Sequence, residues 1–573
     1  MPHSLKTELA VSFGKNKALG LKVIVVLLFG LTANLLTPWP LKFILDNVLV
    51  SRSFLGLRFE PVFFSDKKIT LIWLLALASF LLVLIRGFFN HRRHILLTRL
   101  ADRAADRLRL RVFSHLLEVE TKSFTRFAVD DLRARANEDI ERVRDCLIEV
   151  FAALAGELVT IVITFMILFW VDAAFALITF IFLVLLFAVY RFFPSMIDAR
   201  NSQARKLEAE RAVFTSEIIR HQVFVKAWTR ESIETRRLTM INDTCSEANL
   251  AKAIGEGRLI FNVELLTALM TASILGYGGW SVSVGRLSIG DLVLFMQYLA
   301  FLYAPIGRTS GFFLTYQRGR AGWQRIREVL ELPIEIQTKF ENLDSPKAVA
   351  PEISISNLSF GYRPGQNVFS NLNLTIASGE IVALVGPSGI GKSTLFRLLM
   401  GFYNPDQGEV LIGKMALAGM SPEKWREQIA YVDQEATLFS GTIRDNLVYG
   451  SENSGSAIDE SRVRDICQRL DIDSFVLPLP SGYQTQIRED GVTFSTGQRQ
   501  RLALARALIS KRPVVLMDEP TAALDSELES KLVSEFASLL QGRTTILITH
   551  RPKPLSIATQ IIDLSRDKKA LPA

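Results

Sequence analysis

Gly386-Pro-Ser-Gly-Ile-Gly-Lys-Ser-Thr394 has the spacing G-x-x-x-x-G-K-S, and the chemistry of that spacing is phosphate binding. Gly386, Gly389 and Gly391 let the backbone curl until successive N–H groups face one anion, and a helix starting there adds partial positive charge. Ser388 and Thr394 lie in the same cradle, Lys392 would reach the β- and γ-phosphates, and Ser393 would ligate Mg²⁺. A second anion site opens downstream. Phe494-Ser-Thr-Gly-Gln-Arg-Gln-Arg501 leads into a helical run, with Ser495 as its natural N-cap and Gly497 and Gln498 in its first turn. Between and after these lie the acids. Asp518 ends the apolar run Pro513-Val-Val-Leu-Met and suits Mg²⁺ through water, and Glu519 directly after it suits the polarisation of an attacking water. Gln434, in Tyr431-Val-Asp-Gln, is a candidate for Mg²⁺ or that water. His550, at the end of Thr545-Ile-Leu-Ile-Thr, is a candidate for γ-phosphate contact, and Asp525 closes the turn Pro520-Thr-Ala-Ala-Leu.

These residues need elements to hold them. Ile381-Val-Ala-Leu-Val385 reads as a buried strand and Leu395-Phe-Arg-Leu-Leu-Met400 as a helix, so the glycine loop sits in a strand–loop–helix context. Ile353-Ser-Ile-Ser-Asn-Leu-Ser-Phe360 alternates as a half-exposed strand does. The ring of Tyr362, just after it, suits stacking on adenine or plain sheet packing.

The chain has 573 residues, 49% of them apolar, and carries a net charge of +8. That length calls for at least two domains. The apolar excess is concentrated before residue 335. Long apolar runs occur at about 21–45, 69–89, 147–171, 173–193, 259–282 and 287–306, each near the roughly 20 residues a helix needs to cross a bilayer. A signal peptide is rejected for the first run, because no small-x-small cleavage site follows and the run continues through Pro38-Trp39-Pro40. Only Val171-Asp172 separates the third and fourth spans, so they form a tight hairpin. The second-to-third and fourth-to-fifth connections are long, charged and helical in period. The later one carries Arg200, Arg205, Lys206, Arg211, Arg220, Lys226, Arg230, Arg236 and Arg237, and the positive-inside bias places both in the cytoplasm. Arg52, Arg58, Lys67 and Lys68 weaken that bias in the first outer loop.

The turns 123–130 and 220–228 are candidate contacts with the nucleotide half, or ordinary surface loops. Glu149, Glu157 and Glu264 lie in or beside apolar spans, where acids are costly; they face a cavity, pair with each other, or snorkel near a helix end. The basic excess fits loops facing anionic lipid and not nucleic acid, since no basic stripe with aromatics is present. Cys146, Cys245 and Cys467 have no metal or redox spacing. The expected organisation is an all-α six-helix transmembrane domain with long cytoplasmic extensions (1–335), a linker (336–350), and an α/β P-loop NTPase domain (351–573).

In this order the motifs resemble those of the ATP-binding cassette (ABC) transporter family, in the exporter arrangement with membrane domain first. The resemblance covers nearly the whole chain. It rests on the A-loop aromatic Tyr362, Walker A 386–394, Q-loop Gln434, signature 494–498, Walker B 514–519, D-loop Asp525 and switch His550. It implies ATP with Mg²⁺ and a head-to-tail ATPase dimer. Each ATP would be sandwiched between Walker A of one copy and the signature of the other, which answers why one chain holds two anion sites. It also implies alternating access across a bilayer, here in a bacterial plasma membrane, with the regions around 126–144 and 225–228 matching the coupling helices.

There are departures. The signature is Phe-Ser-Thr-Gly-Gln, so Thr496 stands where the family has Gly. Asp490 replaces a usual Arg in Arg488-Glu-Asp-Gly491, and the C-terminal tail is short. With Glu519 and His550 present, the first expectation is a homodimeric exporter of a hydrophobic or lipid-like substrate. The alternatives are the catalytic half of an obligate heterodimer, or an ATP-gated channel or regulator, which the intact Glu519 argues against. Six apolar spans exclude a soluble ABC ATPase. The fused arrangement argues against an importer, and coupled leader-peptide cleavage has no peptidase-like segment to support it. The 38 Phe residues suit an apolar cavity or, preferably, a lipid-facing surface.

Overall fold

The computed structural model describes residues 17–49, 65–152, 156–335, 350–363, 365–451, 459–488 and 494–565. The outer-loop residues Arg52 and Arg58, the linker 336–349, Glu489–Gly491 and the tail beyond 565 lie outside them. The chain divides into two compact units, Met1–Ser114 with Val129–Glu331 and His115–Ala128 with Leu332–Ala573.

The first unit is helical. Among the described residues, Ala18–Leu49, Ile69–Glu118 and Glu231–Ser283 are long and apolar enough to cross a membrane, and Val159–Val171, Ala173–Val189 and Ile289–Leu302 are shorter apolar stretches. The 54-residue helix Ser65–Glu118 is about 80 Å long, so it runs far past a hydrocarbon core of roughly 30 Å. Ala173–Arg220, Glu231–Ser283 and Ile289–Leu330 do the same. The expected hairpin is made at Asp172, which leaves helical geometry and accepts from the N–H groups of Ala174 and Phe175 at 2.9 and 3.1 Å.

The third apolar run is described in two stretches, either side of residues 153–155. Helices Glu138–Ala152 and Leu158–Val171 are described, with a π-type turn at 156–157. Gly156 is the point of close approach there, since a Cβ would lie 2.9 Å from the Arg93 guanidinium, and Thr160 bonds back to the Gly156 carbonyl at 2.5 Å. Glu149 and Glu264 are exposed and Glu157 is half-buried.

One buried acid of this unit, Asp46, is not singled out by the apolar pattern. Asp46 accepts from the Ser288 hydroxyl at 2.6 Å and the Gly290 N–H at 2.9 Å, at the N-terminus of the helix Ile289–Leu330. Beside it Lys42 pairs with Asp291. Trp39 donates to the Tyr298 hydroxyl at 3.0 Å, and that hydroxyl donates to the Leu35 carbonyl at 2.7 Å. The apolar core nearby stacks Phe175 on Phe295 at 4.1 Å.

Toward its other end the helix Ile289–Leu330 packs on Glu138–Ala152 with almost no space between backbones. A Cβ on Gly319 would fall 2.3 Å from the Cys146 Cβ. Charge finishes this contact: Asp139, fully buried, is paired with Arg142 at 2.6 Å and Arg325 at 3.2 Å. Gly319→Ala is therefore expected to cost about 1–3 kcal/mol through overpacking. It should appear as a lowered thermal-unfolding midpoint in nanodiscs, and an unchanged midpoint would contradict the contact.

The second unit joins two large sheets, with a short ribbon of β7 (Gly441–Thr442) and β8 (Gln486–Ile487) beside them. Strands β1 (Ile353–Arg363), β2 (Gln366–Ile376), β4 (Gln407–Ile412) and β5 (Met415–Ala416) form an antiparallel sheet in the order β2-β1-β4-β5. In β1 the alternation breaks phase: Ile353 and Ile355 are buried, then Leu358 and Phe360. A bulge at Ser356–Asn357, with Asn357 at φ +51°, absorbs the extra residue. The second sheet is parallel, in the order β11 (Gln560–Asp563), β3 (Ile381–Val385), β10 (Thr544–Ile548), β9 (Val514–Asp518), β6 (Ile429–Val432). Its central strands are buried, as a parallel sheet covered on both faces requires.

Candidate functional site

In a parallel sheet every strand ends at the same edge, and that edge is where ligands are held. β3 runs out into the glycine loop, β9 into Asp518 and Glu519, β10 into Thr549 and His550, and β6 into Asp433 and Gln434. Register fixes their neighbourhood, for Ile548 pairs with Asp518 across β10 and β9 and with Leu384 across β10 and β3. Four segments that are remote in sequence thus meet along one line.

The loop takes the backbone its glycines permit, with φ of +145° at Gly386, +81° at Gly389 and +114° at Gly391. Ser388 and Gly389 are exposed on it. The helix Lys392–Leu399 starts directly after Gly391. The Lys392 ammonium folds over the loop, donating to the carbonyls of Gly386 at 2.6 Å and Pro387 at 3.1 Å. Ser393 donates to the Asp518 carboxylate at 3.2 Å, uniting residues 125 positions apart. Burial pushes the Asp518 carboxyl above its usual range and the Glu519 charge adds to this, while the Ser393 hydroxyl and Lys392 oppose it. A hydroxyl and a carboxylate are hard oxygen donors of the kind Mg²⁺ takes beside phosphate oxygens, so this pair fits that ion. Among the described residues no group of three or more His, Cys, Asp or Glu could hold a metal by itself.

Tyr362 meets the same site from β1. Its hydroxyl donates to Thr394 Oγ1 at 3.2 Å and accepts from Arg397 at 3.3 Å, and its ring stands edge-on to Tyr403 at 5.3 Å. The ring is 38% exposed, which leaves a face for a planar base. Gln434 and His550 are exposed at their strand ends. Burial, with the Asp518 and Asp433 carboxylates, pushes the Tyr431 hydroxyl up to about 12, so it stays protonated beside the site.

The second anion site is built on the head of another helix. Ser495 caps the helix Thr496–Ile509 in a capping box: its hydroxyl accepts from the Gln498 N–H at 3.2 Å, and the Gln498 side chain accepts from the Ser495 N–H at 2.9 Å. Gly497 abuts the turn after β9, where a Cβ would lie 3.0 Å from the Ala523 carbonyl. Thr496 is exposed and its hydroxyl accepts from Arg499 at 3.3 Å. Asp525 caps the helix Ser526–Leu539, accepting from the Leu528 N–H at 2.9 Å.

Three features of this region escape motif reading. Glu519 holds a left-handed backbone, φ +47°, a conformation that costs about 1–3 kcal/mol outside glycine. Gln500, buried in the signature helix, bonds to the chain on both sides of the turn 519–523. Arg551, next to His550, donates to the carbonyls of Ala522 at 2.6 Å and Leu524 at 3.1 Å. It also pairs at 3.1 Å with the buried Glu529, which accepts from Thr521 at 2.7 Å. In the sequence Gln500 is one residue of a helical run and Arg551 follows a strand; only the tertiary contact gives them meaning.

Comparison with known proteins agrees with this geometry. Residues 369–522 match the family model described as ABC transporter, and residues 21–306 match the ABC transporter transmembrane region. The chain is 30% identical over 488 residues to an ATP-dependent lipid A-core flippase of Ralstonia nicotianae, covering 84% of this chain and 81% of the relative. It is 29% identical over 505 residues to a flippase of the same name from Syntrophus aciditrophicus, covering 87% and 82%. It is also 29% identical over 461 residues to a multidrug resistance ABC transporter ATP-binding and permease protein of Lactococcus lactis, covering 79% and 76%. In fold it resembles a bacterial Atm1-family ABC exporter solved with ATP bound, with a TM-score of 0.77 at 24% identity, covering 96% of this chain and 94% of that one.

Proposed function

The chain belongs to the ABC transporter family, as an exporter-type half-transporter with its membrane region and ATPase in one polypeptide, and from that premise we propose that two copies pump a lipid-like amphiphile out of the cytoplasmic leaflet of a bacterial plasma membrane. It is a multi-pass membrane protein and a transport-coupled ATPase. The observation that carries the dimer is the separation of roles within one chain. Lys392, Ser393, Asp518 and Glu519 belong to one sheet edge with the glycine loop, whereas Ser495 and Gly497 head a different element, a helix packed on the turn that follows Glu519. A second copy supplying Ser495 and Gly497 would close the γ-phosphate side of the nucleotide.

In this reading Tyr362 stacks on the base, the loop from Gly386 to Thr394 wraps the phosphates, and Lys392 moves from the loop carbonyls to the β- and γ-phosphates. Ser393 and Asp518 would hold Mg²⁺, whose chemistry is to neutralise phosphate charge. Glu519 takes the proton of the attacking water, Gln434 orients that water, and His550 contacts the γ-phosphate. Asp525 stays at the edge of the composite site.

The substrate class draws on the two relatives named as lipid A-core flippases, and a drug-like cargo on the relative named for multidrug resistance. The test is the full-length chain in proteoliposomes with either a labelled lipid A-core glycolipid or a cationic amphipathic drug. The lipid reading expects ATP-dependent movement of the glycolipid and stimulation of hydrolysis by it. Movement of the drug alone would replace that reading, and hydrolysis indifferent to both would remove it.

A further inference from the structure

Gln500 lies two residues beyond the signature and has no part in the mechanism above. It is 2% exposed, at the start of the second turn of the helix Thr496–Ile509. Its amide is used at both ends: Nε2 donates to the Glu519 carbonyl at 2.7 Å, and Oε1 accepts from the Ala523 N–H at 3.0 Å. A buried amide must find partners somewhere, and that alone would mean nothing. What sets this one apart is the backbone it grips. Glu519 holds φ +47°, a conformation that persists only when its surroundings over-determine it. Its N–H is tied to the Ile548 carbonyl at 2.9 Å. Its carbonyl is shared between the Ala522 N–H, at 3.2 Å, and the Gln500 amide, the closer of the two. Without that amide the Glu519 carbonyl keeps the longer Ala522 bond and loses the shorter one, which loosens the strained peptide and the carboxylate it carries. Gly497, in the first turn of that helix, touches Ala523 as well. The head of the signature helix and the turn 519–523 are therefore joined at two points.

We propose that Gln500 is a positioning residue: it locks the strained Glu519 backbone to the signature helix, so that the water-activating carboxylate is aimed only while that helix is in place. The inference rests on the reading of Glu519 as the base.

The test uses the full-length chain in lipid nanodiscs. Gln500→Ala is expected to lower kcat for ATP hydrolysis about 10- to 100-fold, the cost of a misaimed group, with KM for ATP within about twofold of wild type. Gln500→Glu gives a readout that mere packing would not. A protonated carboxyl donates to the Glu519 carbonyl as the amide does, an ionised one repels it, and burial raises the pH at which such a carboxyl protonates. The ratio of Gln500→Glu kcat to wild-type kcat should therefore climb about fivefold or more as pH falls from about 8.5 to about 6.

A Gln500→Ala kcat within twofold of wild type, or a flat Gln500→Glu ratio, overturns the proposal. Should Gln500→Ala fail to fold, the pH ratio decides alone. Glu519→Gln runs alongside. If it hydrolyses ATP normally, the base reading falls and the proposal with it; if it is inactive while Gln500→Ala is normal, only the proposal falls.

Discussion

Glu519→Gln is expected to slow steady ATP hydrolysis by about 10²- to 10⁴-fold, the usual worth of a positioned general base, while the nucleotide stays bound. The amide keeps the size and backbone of the acid but cannot take a proton from water. Of the other carboxylates at the sheet edge, Asp433 accepts from the Thr437 hydroxyl at 2.6 Å. The Asp518 carboxylate is engaged by Ser393, and Lys392 and Arg397 nearby are cations. ATP should accumulate on the protein, measured as retained labelled nucleotide, and two copies should associate more tightly than in wild type. Hydrolysis at the wild-type rate would mean that the water is activated by another group.

Gly391→Ala is expected to weaken ATP binding by about two orders of magnitude, equivalent to about 2.7 kcal/mol. Two costs combine there. At φ +114° an L side chain is strained, and the added Cβ would sit 2.7 Å from Val368 Cγ1 and 2.8 Å from the Phe369 ring. Gly389, at φ +81°, has nothing within 4 Å of such a Cβ. Gly389→Ala therefore carries strain without the clash and should lose distinctly less affinity. Nucleotide titration of the two variants separates the terms. Equal losses would show that strain alone matters, and no loss at Gly391 would contradict the packing beneath the loop.

The legible parts of this protein are those whose physics is local. The glycine loop announced itself because a phosphate cradle needs positive φ and a following helix, and both are written in nine consecutive residues. Ser495 is a cap, and a cap is a property of three or four neighbours. Even the bulge in β1 is visible afterwards as a phase slip, with apolar positions 353 and 355 followed by 358 and 360.

What stayed hidden depends on distant partners. Asp46 sits in an apolar run like any stray acid, and only Ser288 and Gly290, from a helix some 240 positions on, explain it. Gln500 and Arg551 take their roles from backbone carbonyls, which no residue type advertises. The π-type turn at 156–157 was not legible because hydropathy does not register backbone geometry.

The grip on Asp46 also says where this membrane domain cannot bend. A carboxylate held by a hydroxyl and a helix-end N–H, with Lys42–Asp291 and Trp39–Tyr298 beside it, is costly to strand in a low-dielectric setting. The first membrane helix and the start of the last are in effect one lever with a welded joint at 39–46 and 288–298. Any opening of the transport path has to be bought by hinging elsewhere, and the π-type turn at 156–157 is one place where the chain departs from α-helical bonding.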